Sequence, residues 1–68
     1  MAKTQEQKLF GAAVLKTSFR LREALESPAF KFVYPGVLRD LGLEDSEVEA
    51  YIEANRAAVE KAARGQPA

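Results

Sequence analysis

The stretch Leu9-Phe10-Gly11-Ala12-Ala13-Val14-Leu15-Lys16-Thr17-Ser18-Phe19-Arg20-Leu21-Arg22-Glu23-Ala24-Leu25 decides how this chain folds. At 100° per residue, Phe10, Ala13, Val14, Thr17, Leu21, Ala24 and Leu25 fall on one face, an apolar stripe wide enough to bury against a core. The spacing predicts a long first helix from about Thr4 to Glu26. Leu15 and Phe19 do not belong to that stripe. With Ala12 they form a second flank, well over 100° from the centre of the first. A helix of a small monomer carries two apolar flanks only when both are covered. Two coverings stay open: the middle of the same chain folding over Leu15 and Phe19, or another chain.

Downstream, Ser27-Pro28 reads as an N-cap followed by proline at the first helical position. Phe30, Phe32 and Tyr34 then alternate with Lys31 and Val33, a strand-like period. Nothing else in the chain offers a second strand to pair with, so unless two chains pair here a short helical turn is expected. Pro35 pushes Tyr34 toward extended geometry and is expected to break the path. A short helix follows over Gly36 to Leu41, with Gly42 as its left-handed stop and Leu43 packing back. The last helix has two possible starts. Glu44 as cap sets Leu43 and Val48 as a hydrophobic staple, while Ser46 makes a capping box with Glu49. Either way it runs to Ala63 or Arg64, with Val48, Tyr51, Ile52, Asn55, Ala58, Val59 and Ala62 on one face and Glu49, Glu53 and Glu60 on another. Asn55, in the middle of the apolar face, is expected to be hydrogen-bonded at a contact. The glycine–leucine–acidic junction at 42–45 follows from capping physics alone, and no family is claimed from it.

These elements define an all-α fold: a small three- to four-helix domain with a long helix 1, a short kinked middle helix and an amphipathic C-terminal helix. It is expected to occupy residues 1–64 as a single domain, with 65–68 as a flexible tail. At 68 residues, of which 47% are hydrophobic, the chain is near the lower size limit for a self-sufficient core.

Composition narrows the chemistry. There is no cysteine and no histidine, so thiolate metal sites, disulfides, thiol nucleophiles and the commonest general base are excluded. Ser18, Ser27 and Ser46 have no evident base beside them. Glu49 and Glu53 share a helix side at i, i+4, but di-metal bundles draw such carboxylates, together with histidine, from several helices. The glycines are scattered singly, so no phosphate loop exists. No enzyme, no cofactor and no metal are therefore expected. The apolar run Leu9 to Leu15 is too short for a secretory signal or a membrane span, and a cytoplasmic protein is expected.

The net charge is zero, but unevenly laid down. Residues 1–39 carry seven basic and three acidic groups, and residues 40–68 three basic and seven acidic. The halves can attract each other, within a chain or between chains, or the basic half can meet an acidic partner. A helix-turn-helix reading of Leu38 onward fails on sign, because its recognition helix would open with Glu44, Asp45, Glu47 and Glu49 against phosphates. A nucleic-acid-binding accessory role remains as the alternative, using Lys16, Arg20 and Lys31 beside Phe30 and Phe32. The favoured expectation is a non-catalytic protein-binding module, either a homodimer or an accessory or regulatory subunit of a larger complex. Its contact surface is expected to comprise Leu15, Phe19, Phe30, Phe32 and Tyr34, with Lys16 and Arg20 at the rim.

Overall fold

Thr4 opens the first helix. Its hydroxyl accepts from the Gln7 N–H at 3.1 Å, and its own N–H donates to Gln7 Oε1 at 3.0 Å, a capping box. The computed structural model describes residues 4–65 and contains four helices, with no strand among the described residues. They are α1 (Gln5–Leu21), α2 (Pro28–Leu41), α3 (Asp45–Ala54) and α4 (Arg56–Arg64). The fold is all-α. Of the expected tail, residues 66–68 lie outside the described residues.

Helix α1 is shorter than its periodicity predicts. It ends at Leu21, and Glu23 adopts a left-handed φ of 55°. The Ala24 N–H donates to Phe19 O at 2.8 Å and the Glu23 N–H to Arg20 O at 3.0 Å, the paired bonds of a Schellman termination. The connection closes on Ser27, whose hydroxyl donates to Ala24 O at 2.7 Å and accepts from the Phe30 N–H at 3.2 Å. Ser27 therefore caps α2 as its sequence context predicts.

Pro35 does not break the path. Helix α2 runs through it without interruption. A proline removes the N–H that would bond the carbonyl four residues earlier, here that of Lys31. The loss falls on the outer side of α2, where Pro35 is exposed and water reaches the backbone. The alternating aromatics thus become helical. Phe30 and Tyr34, one turn apart, are buried, while Phe32 points the opposite way and is 84% exposed. Gly42 ends α2 at φ 69°, with Leu43 N–H donating to Leu38 O at 2.9 Å and the Leu43 side chain in the core.

The start of α3 falls at Glu44, not Ser46: the Glu44 N–H donates to Glu47 Oε1 at 2.9 Å. The single last helix expected from the pattern is two. Asn55 (φ −128°, ψ 33°) separates α3 from α4, and both its backbone N–H and its Nδ2 donate to Tyr51 O. Asn55 is exposed rather than held at a contact. Its short amide side chain competes for the backbone carbonyl and so marks a helix boundary.

Helix α1 is the axis of the fold and touches each of the other three. Ala12, Ala13, Val48 and Val59 are fully buried, with Leu43 and Ile52 beside them and Leu9, Phe10, Val14, Leu38, Leu41 and Tyr51 packed around. Two alanines at the centre of α1 let neighbouring helices approach its backbone. Phe10 and Tyr51 meet edge to face at 6.4 Å, across α1 and α3. Leu21, expected on the main stripe, is 41% exposed, because the helix ends there and the chain turns away.

Candidate interaction surface

Phe19, on the second flank of α1, is covered by the chain's own middle. The rings of Phe19 and Phe30 lie 5.1 Å apart, and Phe30 stacks on Tyr34 at 4.8 Å and 15°. Arg22 sits 5.6 Å from the Phe19 ring centroid. Of the two coverings left open by the sequence, Phe19 has the internal one. Leu15 is half-buried.

Beside this aromatic stack lies an ion network drawn from three helices. Lys16 Nζ is 2.7 Å from Asp45 Oδ1 and 2.6 Å from Glu49 Oε2, and Arg20 reaches the same Glu49 oxygen at 3.0 Å. Lys16 and Arg20 stand at i, i+4 on α1, as do Asp45 and Glu49 on α3, so two helical ladders face each other in register. Tyr34 of α2 donates its hydroxyl to Asp45 Oδ1 at 2.6 Å, and Lys16 Nζ stands 5.4 Å from the Tyr34 ring centroid. The basic and acidic halves of the chain thus meet within one molecule.

The network tunes its own groups. Burial works to lower the Lys16 ammonium, but its hydrogen bonds to Asp45 and Glu49 outweigh this and hold it above its ordinary value. The hydrogen bonds from Lys16, then Tyr34, hold the Asp45 carboxyl below the usual range, and the bond from Lys16 does the same for Glu49. Burial, reinforced by the bond to Asp45, pushes the Tyr34 phenol up. All four groups are held in their ordinary neutral-pH charge states, which is the signature of a structural tie.

The seven residues expected to form one contact surface are therefore divided. Phe30 and Tyr34 are buried, Phe19 packs on Phe30, and Lys16 and Arg20 are committed to α3. They hold α1, α2 and α3 together. Only Phe32 of the set projects freely, because the strand-like alternation had placed it with neighbours that a helix turns the other way.

Reading α2 as one helix exposes what the alternation hid. Phe30, Tyr34, Val37, Leu38 and Leu41 form an inner stripe. Pro28, Phe32, Pro35, Gly36 and Arg39 repeat the same spacing two residues earlier and face outward. Val33, 40% exposed, flanks the outer stripe. An open depression of about 440 Å³ follows this face, from Lys31 and Phe32 to Arg39 and Asp40.

Among the described residues, no group of three or more acidic side chains is placed to hold a metal ion, and no helix is long and apolar enough to cross a membrane. Comparison with protein-family models, with curated proteins and with solved structures finds no match to this chain.

Proposed function

We propose that this protein is a small non-catalytic protein-binding module, working as a homo-oligomer or as an accessory or regulatory subunit in the cytoplasm. Its contact surface in this reading is the outer stripe of α2. The observation that carries the proposal is Phe32, 84% exposed on a helix that is apolar on both sides. A large aromatic left this exposed beside Pro28, Val33 and Pro35 forms an apolar patch of the kind that marks a contact site, while α2 packs on α1 through its inner side. The Pro35–Gly36 pair supports the same surface. Both residues weaken a helix interior. A Cβ added at Gly36 would meet nothing within 4 Å, so internal packing does not require the glycine. Local rules broken without internal compensation are expected at functional positions.

The nucleic-acid alternative finds less support, because Lys16 and Arg20, its principal cations, are neutralised by Asp45 and Glu49. A photo-crosslinking residue placed at position 32, and for comparison at exposed position 61 on α4, tests the reading in cells. Discrete protein adducts from position 32 and not from 61 are expected. Equal labelling from both positions, or none from 32, would overturn it.

A further inference from the structure

The outer stripe of α2 carries both halves of its own complement, and we infer that its occupant is a second copy of this chain, docked antiparallel on the first across the Pro35–Gly36 peptide. The inference rests on the reading of this face as a contact surface and adds the identity of the partner.

Phe32 and Arg39 are seven residues apart, two turns of helix, and stand about 10 Å from each other along the axis. The midpoint between them is the Pro35–Gly36 peptide. A two-fold axis through that point sets Phe32 of one helix opposite Arg39 of the other, and does so twice. Gly36 offers no side chain and open space above it, so the two backbones can approach where they cross. Each copy thus offers the same patch to the other, as an isologous contact requires.

The polar groups match as well. Arg39 joins no ion pair among the described residues. The Lys31 carbonyl, one residue from Phe32, lacks its helical donor because residue 35 is proline. In the two-fold arrangement the guanidinium of one copy lies over the other's Phe32 ring and donates to that carbonyl. This protein already makes the ring contact twice internally, with Arg22 over Phe19 and Lys16 over Tyr34. A net charge of zero leaves no long-range repulsion between copies. A helix of 14 residues is about 21 Å long, and one such face cannot bury the roughly 1,600 Å² of a standard interface. The dimer is therefore weak, with a Kd in the micromolar range or above.

Sedimentation equilibrium of the full chain from low micromolar to millimolar concentration tests this, with Phe32→Ser, Arg39→Gln and an oxidised Gly36→Cys variant beside the natural sequence. Expected are a monomer–dimer equilibrium, a Kd raised at least about tenfold by Phe32→Ser, a smaller rise for Arg39→Gln, and a covalent dimer through Cys at position 36. Circular dichroism confirms that each variant is folded. A natural chain that stays monomeric at millimolar concentration overturns the inference, as does a dimer indifferent to Phe32→Ser or a Gly36→Cys variant that does not cross-link. Adducts to a different protein from position 32, found alongside a strictly monomeric chain, would overturn self-docking alone and leave the binding-module reading standing.

Discussion

Thr17 and Glu23 are the two residues whose chemistry runs against their positions. The Thr17 hydroxyl is buried at 2% residue exposure and has no hydrogen-bond partner. Valine has the same shape without the group to be desolvated, so Thr17→Val is expected to stabilise the protein by about 1 kcal/mol, read as a higher urea midpoint at unchanged slope. Glu23 holds the left-handed position of a Schellman termination that Gly42 occupies at the end of α2. Because a side chain there is strained, Glu23→Gly should also stabilise, by about 1 kcal/mol, and a drop in melting temperature would contradict this. The contrast explains what could be read at this scale. Ser27, Gly42 and the staple of Leu43 with Val48 have residue types suited to their places and were legible. Glu23 ends α1 by backbone geometry that its residue type does not announce, so that helix is shorter than its periodicity predicts, and the break at Asn55 falls inside an apolar pattern that runs on unbroken to Ala62.

The tie between α1, α2 and α3 is ionic at its edge and aromatic at its centre, and the two parts respond differently to acid. Asp45 and Glu49 have folded-state values below their ordinary ones. The stability they contribute is thus present above the unfolded carboxylate range, near pH 4, and is lost as pH falls through the folded values. Both carboxylates are more than a third exposed, so solvent screening keeps each contribution below about 1 kcal/mol. The melting temperature should hold between neutrality and about pH 5, then fall below about pH 4. Lys16→Met should flatten that fall, and an acid profile identical to that of the natural chain would show that the network carries none of it. At this scale the sequence misled in one instructive way. The acidic i, i+4 pair read from the sequence was Glu49 with Glu53, whereas the ladder that meets Lys16 and Arg20 is Asp45 with Glu49, because nothing local says which side of α3 faces α1. Phe30, Phe32 and Tyr34 satisfied a strand period, and Phe30 with Tyr34 a helical one. Tertiary packing decided between them, turning two rings inward and one outward.

At the scale of the whole molecule, the all-α architecture was legible because hydrophobic periodicity and caps agree along most of the chain. So was the opposition of a basic half to an acidic half, which the fold resolves internally through Lys16, Arg20, Asp45 and Glu49. The proposed contact surface was less legible. The expected contact surface joined the flank of α1 at Leu15 and Phe19 to Phe30, Phe32 and Tyr34, and the chain turns Phe30 and Tyr34 inward against Phe19 while Phe32 stays exposed. What remains uncovered is the far side of α2, which no local pattern could reveal while Pro35 was read as a break.

Two phenylalanines separated by a single lysine are thus given opposite duties, Phe30 inside the fold and Phe32 outside it. Equilibrium urea unfolding of Phe30→Ser and Phe32→Ser, measured side by side at low micromolar concentration, tests that division most directly. Phe30→Ser should lose about 3 kcal/mol or more, as expected for emptying an aromatic site in a core, and Phe32→Ser should stay within about 0.5 kcal/mol of the natural chain. Equal losses at the two positions, or a larger loss at Phe32, would contradict the account.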